Sequence, residues 1–334
     1  GLGDVYKRQT VNLRGSDVLH TPVFVSFLLV TPTDAVLFVD DVKLTDDVKK
    51  YLADAGIQTA PYDSAFDALS KIKGTVLLDK YRTCAKAAAV VNGRSDAQIV
   101  SGTQVTTILK SRKTPAELDA LRNAMVTDGV ALAETFAWVA ECDANATKIT
   151  ESDVADFLHE ARAKSPDFFD ESFTTIAAWG PNAAEPHYTP KKDTAAELLQ
   201  DNVLLVDSGA QYTGGTTDVT RTVAVGRPTP EMKRDFTAVL RGHIAIATTR
   251  FPKGAYAAQL DTLARAPIWA IGADYGHGTG HGVGFHLSVH EGPAHISPRC
   301  PTTDDTRLVP GIVISNEPGL YRSGRWGIRI ENLV

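Results

Sequence analysis

Two stretches decide how this chain reads: Asn202-Val203-Leu204-Leu205-Val206-Asp207 and, eleven residues after that aspartate, Asp218-Val219-Thr220-Arg221-Thr222-Val223-Ala224-Val225. The first is an apolar run of strand length that closes on a carboxylate. The second opens on a carboxylate and continues in β-branched residues. Gly209, Gly214 and Gly215 lie between them, so the pair reads as a hairpin that sets Asp207 and Asp218 face to face. The same device recurs near the end of the chain. Ile312-Val313-Ile314 runs towards Glu317, the chain turns at Ser323-Gly324, and Ile328-Arg329-Ile330 leads back to Glu331.

Each hairpin carries two carboxylates, and His281 adds an imidazole. Four clustered carboxylates do not all stay ionised without cations between them, because like charges raise one another's pKa. Two divalent ions about 3.5 Å apart would neutralise them, polarise a carbonyl and hold a bridging hydroxide as nucleophile. An oxygen-rich ligand shell suits Mn²⁺ better than a thiolate-seeking metal. Any one of these acids alone reads equally well as an ordinary strand-end residue. All of them together, with a glycine-rich histidine segment between the hairpins, read as a metal site.

That segment is Gly276-His277-Gly278-Thr279-Gly280-His281-Gly282-Val283-Gly284, followed by Val289-His290-Glu291-Gly292-Pro293. With it the chain resembles the pita-bread metallopeptidases (family M24: creatinase, prolidase, methionine aminopeptidase, aminopeptidase P). Within them it is most similar to the three-domain Xaa-Pro aminopeptidase P group. The matching stretches are Asn12-Leu13-Arg14-Gly15-Ser16-Asp17, Asp207-Ser208-Gly209-Ala210-Gln211-Tyr212, Thr217-Asp218-Val219-Thr220-Arg221-Thr222, the histidine segment, Ser315-Asn316-Glu317-Pro318-Gly319 and Gly327-Ile328-Arg329-Ile330-Glu331-Asn332. They run in the family's order from Asn12 to the end of the chain.

The resemblance implies an α+β fold, a pita-bread catalytic domain preceded by a smaller α/β creatinase-like domain. It implies that Asp207 binds one metal, that His281 and Glu317 bind the other, and that Asp218 and Glu331 bridge both. Manganese is the ion it implies, with Co²⁺, Zn²⁺ or Fe²⁺ able to take the same ligands. His187, in the turn-rich loop 180–188, and His277 and His290, on either side of His281, would bind the substrate carbonyl and the proline side or pass protons. His20, His159, His243, His286 and His295 read as structural or surface residues. His286 and Ser288 depart from the family's usual residues there, which bears on local pocket shape. The implied reaction is release of the N-terminal residue from peptides with proline second, whose tertiary amide lacks an N–H and resists general peptidases. Prolidase action on X-Pro dipeptides, and a non-catalytic peptide- or protein-binding module, are the alternatives. A homodimer is implied for the full-length protein.

Composition fits a globular protein: 43% hydrophobic and 22% charged residues over 334, enough for two domains. A net charge of −6 without a basic stripe argues against nucleic-acid binding. The odd cysteine count (Cys84, Cys142, Cys300) forms no closed disulfide framework, and a reducing, cytoplasmic setting is the simpler reading. The longest early apolar run, residues 23–30, is too short for a membrane span and reads as a strand. The chain has no serine-hydrolase elbow, P-loop ending or Cys-x-x-Cys pair.

Residues 1–10 match nothing in the family, and the likeness begins where a second domain of three would begin. We therefore expect a piece of a longer protein, clipped shortly after Glu331, that binds metal and cleaves peptides less well than an extended chain. Between the ends, strand-like runs at 35–39 and 75–78 alternate with helix-like runs at 45–55 and 83–91, a small α/β unit over 11–113. Ser111-Arg112-Lys113 reads as a polar joint. Thr114-Pro115-Ala116-Glu117 then opens a catalytic domain over 114–334 with a capping box and proline at the first helical position. Leu118, Leu121, Met125, Leu132, Phe136 and Val139 give that helix one apolar face. Thr150-Glu151-Ser152-Asp153 and Thr229-Pro230 start two more helices.

Overall fold

The protein is described from a computed structural model, which covers residues 11–199 and 201–334. The leader 1–10 proposed from sequence lies outside the described residues. The chain divides into two compact units, one ending at Lys110 and one spanning Ser111–Val334.

In the first unit, β1 (Phe27–Val30) pairs antiparallel with β2 (Ala35–Val39), and β2 pairs parallel with β3 (Ile57–Pro61). A second pair, β4 (Gly74–Leu78) and β5 (Ala97–Ser101), is also parallel. Helices α1 (Asp46–Asp54) and α3 (Ala85–Asn92) are the connections that these parallel neighbours require, α2 (Ala65–Ser70) links β3 to β4, and α4 (Val105–Ser111) follows β5. Both faces of the first sheet are buried. Leu28, Leu37 and Val39 join one core with Val11, Phe24 and Leu52, while Phe27 and Phe38 join another with Phe66, Leu69 and Val91. Burial on both faces is why 27–30 and 35–39 read as unbroken apolar runs.

The strand expected over 23–30 is regular only from Phe27. Upstream, the backbone bonds to a preceding turn instead of a neighbouring strand: Asp17 N–H donates to the Val23 carbonyl at 2.9 Å, and Val25 N–H donates to Asp17 Oδ2 at 2.6 Å. The helix expected from residue 83 begins at Ala85, because Asp79 holds the preceding residues in a turn. It accepts from Tyr81 N–H through Oδ1 (3.0 Å) and from Thr83 N–H through its carbonyl (2.8 Å).

The second unit opens with α5 (Pro115–Ala144), started by the Thr114/Glu117 capping box, and α6 (Glu151–Ala163), started by Thr150/Asp153. Leu132 and Val139 of α5 pack with Leu158 of α6 and with Leu204 and Val206 behind them. The antiparallel sheet they cover has the order β11 (Val219–Val225), β8 (Asn202–Ser208), β7 (Ile176–Trp179). The excursion between β8 and β11 forms its own small arm, β9 (Ala210–Tyr212) against β10 (Gly215–Thr216), and β9 also pairs with β6 (Phe168–Glu171).

Thr229 caps α7 (Pro230–Thr248), which packs on α8 (Ala258–Trp269). Short strands follow. β12 (Gly280–His281) pairs with β13 (His295–Ile296), β14 (Ser315–Asn316) with β17 (Asn332–Leu333), and β15 (Gly319–Arg322) with β16 (Trp326–Arg329). Gly324 makes the β15–β16 turn at φ +71°, the left-handed region that a side chain disfavours. Within the polar stretch Ser111-Arg112-Lys113, Arg112 is exposed while Ser111 and Lys113 are buried. The Lys113 side chain is buried, donating to Glu291 Oε1 at 3.1 Å and to the Val283 carbonyl.

Candidate metal centre

The two hairpins meet side by side. Glu331 N–H donates to the Thr220 carbonyl at 3.1 Å, Thr222 Oγ1 donates to the Arg329 carbonyl at 2.9 Å, and Arg221 donates to the Glu331 carbonyl at 2.6 Å. β11 thus lies against the strand that leads from Arg329 to Asn332. Asp207, opposite Thr220 in the ladder, Asp218, just before β11, and Glu331 all come to one cavity. Glu317 reaches the same cavity from between β14 and β15, its N–H held by the Thr279 carbonyl at 2.8 Å. The glycines of the histidine segment permit this crowding. A Cβ on Gly280 would sit 1.9 Å from the Ser315 carbonyl oxygen.

His281 stands among these acids, with Nε2 3.3 Å from Asp218 Oδ2 and 3.4 Å from Glu317 Oε1. Its Nδ1 lies 3.0 Å from the Gly282 carbonyl, which can only accept, so Nδ1 carries a proton and Nε2 faces the acids. Asp218, His281 and Glu331 each offer a ligand atom within 4.8 Å of the others. Burial pushes the Asp218 carboxyl up to about 7. Burial, then Asp218, Glu317 and Asp207, raise Glu331 well above the carboxylate range, and burial also raises Glu317. Burial alone would lower His281; the Asp218 hydrogen bond and the nearby carboxylates outweigh it and raise it to about 9. Asp207 Oδ1 and Glu331 Oε1 are buried with no hydrogen-bond partner among the described residues. Unsatisfied buried acceptors are costly, and a cation is the partner such a cluster is built to receive.

All three histidines singled out from sequence line this cavity of about 490 Å³. Burial lowers His277 and His290 to about 4, so both are neutral near pH 7. The His290 ring packs edge-on against His281, with centroids 4.3 Å apart. His277 Nδ1 donates to the Gly278 carbonyl (2.7 Å), which leaves Nε2 to accept from Tyr321 Oη (2.7 Å). Arg329 donates to Tyr321 Oη at 2.7 Å and to Asp207 Oδ2 at 2.6 Å, completing a chain from Asp207 to His277.

Arg329, quoted above only within longer stretches, and Tyr321, which the sequence reading does not single out, stand two and ten residues before Glu331. That reading also left His295 among the structural residues, whereas His295 is the cross-strand partner of His281 and lines the cavity. Pairing between two-residue strands leaves no periodic signal to read. His243 and His286 are buried, with Nδ1 on the Asn316 carbonyl (3.0 Å) and on the Tyr212 carbonyl (2.6 Å), and so serve packing as expected.

A solved X-prolyl aminopeptidase from Caenorhabditis elegans, described as a cytosolic enzyme with a di-nuclear active site, superposes with TM-score 0.92 at 34% identity, over 98% of this chain and 54% of that one. An X-Pro aminopeptidase from Thermotoga maritima superposes at 0.77 with 26% identity, over 99% and 88%. A probable Xaa-Pro aminopeptidase P from Sordaria macrospora is 42% identical over 335 residues, 97% of this chain and 54% of that protein. The chain thus spans about half the length of the curated relatives it matches. Residues 10–117 match the creatinase/prolidase N-terminal domain. The creatinase-like first unit and the pita-bread second unit are therefore as the sequence led us to expect. With residues 119–334 matching the model of metallopeptidase family M24, the chain belongs to that family.

Proposed function

We propose that this chain carries the active site of a metal-dependent aminopeptidase that releases the N-terminal residue from peptides with proline second. The observation that carries this reading is the pair of partnerless buried oxygens, Asp207 Oδ1 and Glu331 Oε1, within one acidic cluster that also holds His281. The residues fit a two-ion centre: Asp207, Asp218, Glu317 and Glu331 supply oxygen and His281 supplies Nε2. Such a donor set favours Mn²⁺. Ions held there would polarise the scissile carbonyl and activate water near neutral pH.

The chain's own groups then divide the remaining work. Arg329 occupies Asp207 Oδ2 and leaves Oδ1 as the ligand atom. Thr220 Oγ1 donates to Glu331 Oε2 at 2.7 Å and orients that carboxylate. The rings of His187 and His290 line the cavity and make no hydrogen bond among the described residues. They offer a donor to the carbonyl oxygen and a proton to the departing proline nitrogen. His277, with both nitrogens engaged, acts through Tyr321 and Arg329. Phe173, Ile176 and Pro186 give the cavity an apolar wall suited to a pyrrolidine ring. The names of the relatives, Xaa-Pro aminopeptidases at 34–42% identity, support the proline preference. We place the catalytic domain at 114–334, the creatinase-like domain at 11–113, and the protein in the cytoplasm.

The test is hydrolysis of Arg-Pro-Pro, Gly-Pro and Met-Ala-Ser by the Mn²⁺-loaded protein, with and without a chelator. Chelator-sensitive release of arginine from Arg-Pro-Pro in preference to the other two is expected. Preference for Gly-Pro or Met-Ala-Ser, or activity indifferent to chelation, overturns the reading.

A further inference from the structure

Glu151 is wholly buried at the start of α6, yet the helix does not need it, because Thr150 and Asp153 already form the capping box. Its carboxylate is spent elsewhere. Oε1 accepts from Trp179 N–H at 2.6 Å and from Asn182 Nδ2 at 3.0 Å. Oε2 accepts from Tyr188 Oη at 2.7 Å, from Ala196 N–H at 2.9 Å and from Asn182 Nδ2 at 3.2 Å. These donors come from the beginning, middle and end of segment 179–196. That segment supplies Pro186, His187 and Thr189 to the wall of the metal cavity. Glu151 itself does not line the cavity.

His187 makes no ring hydrogen bond among the described residues, so its own side chain does nothing to fix its place. Its two neighbours are fixed instead. The Pro186 carbonyl accepts from Arg329 at 3.2 Å, and the Tyr188 hydroxyl is held by Glu151. A buried carboxylate with this many donors is a rigid anchor, since each charge-assisted bond is strong and removing the acceptor would leave several donors unsatisfied.

We propose that Glu151 is the positioning residue for His187, gathering the ends of segment 179–196 so that the imidazole is presented to substrate at the metal centre. The proposal rests on the peptidase reading for its kinetic readout but not for its structural one. Losing the anchor lets His187 shift by a fraction of an ångström or more, which at a reacting centre costs about tenfold to a hundredfold in rate. The metal ligands lie on other elements and keep their ions.

The experiment is a double-mutant cycle on the Mn²⁺-loaded protein with Glu151→Gln, His187→Ala and the double variant. Metal content and kcat/KM for Arg-Pro-Pro are measured for each. Glutamine keeps the size but turns a donor towards donors. If that variant fails to fold, Tyr188→Phe, which removes a single hydroxyl, enters the same cycle. We expect kcat/KM to fall about tenfold or more in the anchor variant with full metal content, and no further fall when it is added to His187→Ala. Effects that multiply, or metal lost with the anchor, overturn the proposal. Modification by diethylpyrocarbonate, mapped by mass spectrometry, reads the position of His187 without turnover. The rate at His187 should rise several-fold in the anchor variant while that at His290 stays constant, and an unchanged His187 rate contradicts the proposal. A wild-type protein that cleaves no X-Pro peptide but shows this change in reactivity would refute the peptidase reading alone.

Discussion

Thr220 and Glu331 are joined twice. The Glu331 N–H donates to the Thr220 carbonyl at 3.1 Å, and Thr220 Oγ1 donates to Glu331 Oε2 at 2.7 Å. The first bond links the two hairpins, and the second turns the glutamate so that Oε1 is left for a cation. Replacing Thr220 with Val keeps the shape and removes only the second. We expect divalent-ion affinity to fall about 10- to 100-fold, as for other groups that orient a ligand. Competition titration against a chelator checks this. Wild-type affinity in the variant would mean that the hydroxyl does not orient the ligand.

Lys113 and Glu291 form an ion pair with both side chains almost fully buried, at 3.1 Å. Lys113→Met takes the cation away and leaves the glutamate buried beside His290, the residue before it in the chain. The expected cost is about 3 kcal/mol of unfolding free energy, within the range for breaking a buried pair from one side. Urea denaturation of variant and wild type measures it. A change below about 0.5 kcal/mol, the size of a surface effect, would show that Glu291 is otherwise satisfied.

Acidity near the centre sets a pH signature for the metal-free protein. His281 is raised from 6.5 to about 9, and Glu331 lies well above the carboxylate range. Such groups keep their protons to higher pH folded than unfolded, so the folded state binds more protons and stability falls as pH rises. His277 and His290, lowered from 6.5 to about 4, act the other way, but that gain levels off as the pH passes 6.5 and the unfolded imidazoles lose their protons. Between pH 6.5 and about 9 the melting temperature should therefore drop in chelator. Saturating Mn²⁺ should flatten or reverse that drop by standing where the protons stood. Melting curves across this window decide it, and a metal-free protein that gains stability from pH 6.5 to 9 would contradict the electrostatics described.

Much of this was legible in the sequence, for physical reasons that differ by element. The β8 run at 202–207 and the capping boxes at Thr114 and Thr150 are local signals, and the structure has each where its chemistry puts it. The glycine-rich segment around His281 was legible as a motif, because close backbone approach admits no side chain there. Contacts between distant parts of the chain were not. Arg329 with Asp207, Lys113 with Glu291, and Glu151 with the loop bearing His187 span 122, 178 and 37 residues and carry no periodicity. The burial of Lys113 within the polar joint 111–113 could not be read locally, because a buried lysine is rare without a partner and its partner lies far along the chain.

We propose a single requirement: Asp207, Asp218, His281, Glu317 and Glu331 hold two divalent ions without which the peptidase reaction does not run. Its most direct test is elemental analysis of the Mn²⁺-loaded protein and of Asp218→Ala, alongside Arg-Pro-Pro hydrolysis by each. Two ions per chain and turnover are expected in the wild type, with metal and activity lost together in the variant. Retention of two ions by Asp218→Ala, or turnover in its metal-free form, would contradict it.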